Sequence, residues 1–206
     1  VSVVQHVFAL LLYAMSHVAE LNQSVHAGDW VNCPDFTYQI TPLQELYGRT
    51  LGIIGFGQIG QQVARAALAF GMEVVYTCPH RKPELEEEHI RYLPLEELLR
   101  VADVVSLHCP QNADTTGLLN AARIATMKRG AIVINTARGG VVVAQDVADA
   151  LQSGQLGWYL ADVMEQEPPR ADEPLLTASH CVLTPHVAWA PREARLRLMA
   201  IAYENL

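Results

Sequence analysis

The most constraining stretch of the chain is the step from an aliphatic run, Thr50–Ile54, into Gly55-Phe56-Gly57-Gln58-Ile59-Gly60, followed by Gln61-Gln62-Val63-Ala64-Arg65. Glycines at this spacing are a weak signal on their own. Placed after a strand and at the opening of a helix, they meet a mechanical demand. Gly55 permits a tight turn, Gly57 lets backbone approach a pyrophosphate, and Gly60 lets the helix pack close to the strand. Free N–H groups near Gln58 and Ile59 then face phosphate charge together with the helix dipole. The bland alternative is a glycine-rich turn that holds no ligand.

The rest of the chain keeps the same rhythm. Short aliphatic runs at Thr50–Ile54, Val74–Thr77, Val104–Leu107, Ala131–Asn135, Trp158–Ala161 and Cys181–Leu183 alternate with amphipathic segments near 58–70, 95–101, 118–128 and 143–152. Runs without in/out alternation suit strands buried on both faces, as in a parallel sheet with helices above and below. The expected fold is therefore α/β, a doubly wound parallel sheet of Rossmann type. Residues 1 to about 24 read as one helix. Val4, Phe8, Leu11, Met15 and Val18 form one apolar face, and Val3, Val7, Leu10, Ala14 and Leu21 a second. A helix apolar on two sides is covered on two sides, by its own domain and by something else. Residues 25–49, with Gly28, Pro34, Pro42 and Gly48, read as a connecting arm. Residues 1–49 are thus expected to form an N-terminal helix and arm belonging to the same domain as a dinucleotide-binding unit over 50–206. Glu84, Glu86, Glu87 and Glu88 read as a solvated acidic run.

Composition narrows the partners. With 14 Lys+Arg against 22 Asp+Glu the formal charge is −8, and no basic run supplies the clustered charge a nucleic acid requires. The longest apolar run, Val7 to Met15, falls well short of the ~20 residues that span a bilayer. Cys33, Cys78, Cys109 and Cys181 show no metal-ligand or redox spacing, so reduced thiols, a cytoplasmic setting and no metal are expected. The chain opens inside a helical pattern at Val1, without a Met, and stops inside another at Leu206, which reads as a domain cut from something longer.

The second strand bears on the choice of dinucleotide. NAD sites usually carry a carboxylate about 20 residues after the glycines, at the strand tip. Here the tip is Tyr76-Thr77-Cys78-Pro79, without an acid, and His80-Arg81-Lys82 follows. The missing carboxylate removes repulsion against a 2′-phosphate, which Arg81 is placed to pair with in a forked geometry and Lys82 as a point charge. NADP(H) is favoured, with NAD(H) still tolerated.

Three later segments put polar groups just past buried strands, where ligands of such sheets bind. They are Asn135-Thr136-Ala137-Arg138-Gly139-Gly140, Ala161-Asp162-Val163-Met164-Glu165-Gln166-Glu167-Pro168 and Leu183-Thr184-Pro185-His186-Val187-Ala188-Trp189-Ala190. Singly, each has a bland reading: Arg138 as a helix cap, Glu167 as a surface acid, His186 as a satisfied core histidine. Taken with the glycine turn, the set resembles the D-isomer-specific 2-hydroxyacid dehydrogenase family, and most of all its glycerate dehydrogenase/hydroxypyruvate reductase branch. The resemblance runs from Val4-Gln5-His6 and Phe8-Ala9-Leu10-Leu11, through Ser106-Leu107-His108-Cys109-Pro110, to Thr184-Pro185-His186 and Arg192-Glu193-Ala194-Arg195. One departure is Cys78, which stands where NAD-using members carry an acid.

The resemblance implies hydride transfer between NAD(P)(H) and a small D-2-hydroxy or 2-keto acid of glyoxylate or hydroxypyruvate type. Arg138 would bind the substrate carboxylate and polarise the C2 carbonyl. His186 would exchange a proton with the C2 oxygen, and Glu167 would orient it. A carboxylate beside an imidazole favours its charged form. Asp162 would bond the nicotinamide carboxamide, its alternative being a turn cap. Thr136 and Ala137 would lie at the nicotinamide end, with Cys109, Pro110 and Thr115 near the adenosine ribose. Trp189 would line the substrate pocket or simply pack. The family's substrate domain, which would lie ahead of Val1 and return after Leu206, is expected to be absent. The first helix and arm imply a homodimer. Other readings stay open: a nucleotide-binding corepressor or binding module of the same fold, or a phosphite dehydrogenase-like enzyme. Formate dehydrogenase relatives, which pair the histidine with Gln, are disfavoured by Glu167.

Overall fold

Seven short strands pair into one all-parallel sheet in the computed structural model, which describes residues 1–204. The last two positions of the expected 50–206 unit lie outside the described residues. The strands are β1 (Thr50–Ile54), β2 (Glu73–Thr77), β3 (Ile90–Tyr92), β4 (Val104–Leu107), β5 (Ala131–Asn135), β6 (Leu156–Ala161) and β7 (Cys181–Leu183). Their spatial order is β3-β2-β1-β4-β5-β6-β7. The chain winds outward from β1 to β3, then returns to place β4 on the other side of β1, pairing Ile54 with Leu107. That reversal opens a crevice at the carboxyl ends of β1 and β4, where doubly wound sheets bind ligands.

Both faces are covered, which explains the unbroken apolar runs. On one face α1 (Ser2–Ser16) and α3 (Gln58–Ala69) bury Phe8, Leu11, Val63 and Ala67 against Leu51, Ile53, Ile132 and Ile134. On the other, α4 (Leu95–Val101), α5 (Ala121–Ile124) and α6 (Ala144–Ser153) pack Leu98, Ile124 and Val147 against Val105, Leu107 and Val133. The fold class is the expected one.

Three elements differ from expectation. The single helix over 1–24 is two, α1 and α2 (Val18–Ala27), bent by 51° at His17, whose φ is 48°. The apolar face of α1 has the sheet to pack on as far as Met15; beyond it α2 leaves the sheet and Ser24 is its one buried residue. No single described helix is long and apolar enough to cross a membrane; α1 and α2 meet that test on length and composition only when joined across the bend. The amphipathic segment near 118–128 yields only Ala121–Ile124, started by Asn120, whose side chain accepts the N–H of Arg123. Strand β3 is a three-residue edge with only Ile90 buried, too short to leave a periodic signal. The closing helical pattern is α7 (Arg192–Glu204), as expected, and it buries none of its residues.

Candidate active site

The glycine turn does what its spacing asks. Gly55 sits at φ 97°, and a Cβ there would lie 2.5 Å from the carbonyl carbon of His108, so only glycine lets β1 and the segment after β4 run this close. At Gly60 a Cβ would come within 2.3 Å of Gly55 O, where α3 seats on the strand. Gly57 differs: a Cβ there meets nothing within 4 Å, so its open side is free for a ligand. Gly57 is the N-cap of α3, leaving the first N–H groups, including Gln58 and Ile59, without helical partners.

Beside this turn lies a cavity of about 530 Å³, lined by Gly55, Gly57, Cys78, Lys82, Cys109 and Thr115 among others. The loop after β2 is held by Tyr76, a fully buried ring stacked on Phe56 at 3.9 Å, whose hydroxyl accepts Lys82 N–H at 3.0 Å. Lys82 Nζ donates to Phe56 O at 3.0 Å and so sits in the cavity wall. Arg81, the leading sequence candidate for a 2′-phosphate, faces elsewhere. Its Nε and one terminal nitrogen donate to Glu86 at 2.6 and 2.8 Å, and its guanidinium lies 5.8 Å from the Tyr92 ring centre. The ranking of the two cations is corrected accordingly: Lys82 is at the wall and Arg81 is occupied. Glu86 is likewise no merely solvated acid. Its bond from Arg81 holds its carboxyl below the usual range despite partial desolvation.

A second cavity of about 700 Å³ continues from the first through the shared residues His108, Cys109, Pro110 and Asn112, and adds Ile59, Thr136, Ala137 and Arg138. The turn carrying Arg138 is shaped by Asn135, wholly buried at the tip of β5. Its side-chain nitrogen donates to Arg138 O and Tyr159 Oη, and its oxygen accepts Ala137 N–H. Thr136 Oγ1 is buried with no protein partner, a polar atom left for a ligand. An open glycine edge, unpaired N–H groups and this hydroxyl along one continuous cleft suit a dinucleotide. Burial pushes His108, in the wall of both cavities, down to about 4, so the ring is neutral there at ordinary pH.

Glu167, His186 and Asp162 line a third hollow with Thr184. His186 Nδ1 lies 2.6 Å from Glu167 Oε2, and Glu167 Oε1 accepts Met164 N–H at 2.9 Å. Partial burial pushes the Glu167 carboxyl up, but the His186 and Met164 bonds and the Arg138 charge outweigh it and hold it below its ordinary value. The field of Arg138 thus reaches Glu167 across the gap. Close packing joins the two loops: a Cβ on Gly139 would stand 1.9 Å from Met164 C. Asp162 is 1% exposed and accepts Thr184 Oγ1–H, Val187 N–H and Ala188 N–H, a turn-capping geometry. Trp189 is half exposed.

Sequence reasoning missed Asn135, Tyr76 and Glu86. Asn135 had a signal, a lone amide ending a run of aliphatic residues. Glu86 had none, because nothing in an acidic run tells which carboxylate turns inward.

The family model described as "D-isomer specific 2-hydroxyacid dehydrogenase, NAD binding domain" matches residues 8–188. A hydroxypyruvate reductase of Blautia hydrogenotrophica is 47% identical over 205 residues, all of this chain and 64% of that protein. The TT0316 protein of Thermus thermophilus superposes with a TM-score of 0.88 at 41% identity, over 100% of this chain and 63% of that one. An acyclic imino acid reductase (Bsp5), solved in complex with NADPH and D-Arg, gives 0.86 at 32% identity, over 99% and 63%. The chain therefore spans under two thirds of the length of these relatives.

Proposed function

The chain belongs to the D-isomer-specific 2-hydroxyacid dehydrogenase family, and from that premise we propose that the protein carrying it reduces a small 2-keto acid of the hydroxypyruvate or glyoxylate type to the D-2-hydroxy acid. The observation that carries this reading is the 2.6 Å bond between His186 Nδ1 and Glu167 Oε2. A nicotinamide dinucleotide held along the cleft by the glycine turn and Thr136 would supply the hydride for C2, leaving as its oxidised form. Arg138 offers a planar pair of N–H donors that grips the substrate carboxylate and draws electron density toward the C2 oxygen. With Nδ1 committed to Glu167, Nε2 is the nitrogen that passes a proton to that oxygen, and that takes it back in the oxidative direction. One hydride and one proton add across the carbonyl. Glu167, held ionised, keeps the ring aimed.

Thr136 and Ala137 flank the nicotinamide end, and Cys109, Pro110 and Thr115 the adenosine ribose. Among the described residues Asp162 Oδ2 accepts only Ala188 N–H, which leaves an accepting position for the carboxamide. The preferred dinucleotide is NADP(H): the tip of β2 carries Cys78 in place of an acid, and Lys82 offers positive charge at the wall. Exposed Trp30 and Phe36 on the arm support a homodimer, and four free thiols a cytoplasmic setting.

The test is turnover of NADPH by the intact protein with hydroxypyruvate or glyoxylate, alongside Arg138→Gln and His186→Gln. Loss of the proton donor lowers kcat by about 10²–10⁴-fold, with cofactor affinity preserved. NADPH binding without reduction of any 2-keto acid would establish a binding module instead. NADP⁺ reduction driven by phosphite and not by hydroxy acids would establish the phosphite alternative.

A further inference from the structure

Helix α1 reaches the site through one side chain to which the roles above assign nothing. His6 Nε2 lies 2.8 Å from Thr184 Oγ1 and 3.5 Å from Asp162 Oδ1. The Thr184 hydroxyl has a single proton. Asp162 Oδ1 is 2.5 Å from it and Ala161 O is 3.5 Å away. An ionised carboxylate can only accept, so the hydroxyl proton sits on the bond to Asp162. His6 Nε2 is then the donor to Thr184. The bonds run in one direction, from His6 Nε2–H to Thr184 Oγ1–H to Asp162 Oδ1. With the proton on Nδ1 alone, Nε2 and Asp162 would compete for one hydroxyl hydrogen.

That direction matters because of what Asp162 holds. A carboxylate out of contact with water must be well bonded, and Asp162 receives Val187 N–H at 2.9 Å and Ala188 N–H at 2.8 Å besides Thr184. Both amides directly follow His186, whose φ of 53° is unusual for a side-chain-bearing residue. Such a conformation persists where its surroundings over-determine it. Thr184 precedes His186 by two residues and Val187 follows it, so Asp162 grips the loop on both sides of the histidine.

We infer that His6 is a positioning residue for the His186 loop: by donating to Thr184 it orients the hydroxyl onto Asp162, which clamps the backbone around His186. The inference rests on the proposed role of His186 for its effect on turnover, though not for its effect on the loop.

Four variants of the intact protein test it: His6→Phe, which keeps a ring without the donor; His6→Gln, which keeps an N–H; Thr184→Val, which removes the hydroxyl; and the double His6→Phe/Thr184→Val. Amide exchange at Val187 and Ala188 is expected to quicken by about tenfold in His6→Phe and in Thr184→Val, with β1 and β5 unaffected. In His6→Phe kcat falls by about tenfold while cofactor Kd stays within about twofold of wild type. His6→Gln recovers most of both losses, and the double variant is no worse than its worse parent, as one chain of bonds requires. Unchanged exchange at Val187 and Ala188, or losses that multiply in the double variant, would overturn the inference. So would exchange that quickens equally in β1 and β5. If His6→Phe does not fold, His6→Leu, which also lacks the donor, carries the same test beside His6→Gln. Exchange is read without turnover. A loop loosened as expected in a protein that reduces no 2-keto acid therefore defeats the proposed function and leaves this inference standing.

Discussion

Replacing Gly57 by Ala separates the fold from its ligand. The residue has φ −80° and ψ −162°, extended backbone open to any side chain, and a Cβ there touches nothing within 4 Å. As N-cap of α3, Ala is poorer than Gly by about 0.5–1 kcal/mol. Stiffening the unfolded chain returns about 0.4–1 kcal/mol. The two nearly cancel, so the melting temperature is expected to move by less than about 3 °C. The methyl group instead fills the approach to the N–H groups of Gln58 and Ile59. A hydrogen bond to a charged phosphate contributes about 1.5–3 kcal/mol. At about 1.4 kcal/mol per tenfold, losing one weakens binding by roughly 10- to 140-fold. Titration of the protein's effect on NADPH fluorescence, beside a thermal melt, reads both quantities. A Kd within about threefold of wild type at an unchanged melting temperature would refute the reasoning, since the open edge of the turn would then face no phosphate.

Gly139→Ala is the opposite case: moving a contact of 1.9 Å out to an ordinary 3.4 Å (3.4 − 1.9) requires the Arg138 and Glu167 loops to part by about 1.5 Å. Misplacement on that scale lowers kcat by about a hundredfold and lowers the melting temperature, and wild-type values of both would contradict the packing argument. Glu86→Gln releases Arg81 and is expected to raise the NADPH-to-NADH affinity ratio by up to about tenfold, whereas Lys82→Ala lowers it; titrations showing neither change would remove the phosphate-binding role from this loop. His108 bears on stability. Its folded value of about 4 lies below the ordinary 6.5, so between these limits the unfolded chain binds a proton that the folded one does not. Stability therefore declines as pH falls through that window, by up to about 3 kcal/mol. Urea unfolding at about pH 7 and 4.5 should show this decline in wild type and a smaller one in His108→Gln; equal declines would mean that His108 is not the group responsible.

The order of residues alone was enough to read the architecture and the end of the sheet that bears the chemistry. Strands covered on both faces leave unbroken aliphatic runs, so β1, β4 and β5 were legible to the residue, and the glycine turn announced itself by its spacing between a strand and a helix. The same local logic set Arg138, Glu167 and His186 beyond the tips of β5, β6 and β7. Tertiary structure decided which groups face one another. Arg81 turns to Glu86 and leaves the cavity wall to Lys82. His17 breaks a pattern that reads as continuous, and the helix beyond it buries only Ser24. His6 meets Thr184 across 178 positions of chain. The physical reason is range: helix, strand and turn preferences act over a few residues. The direction of a hydrogen bond, or the partner of a charge, depends on neighbours that only the folded chain brings together.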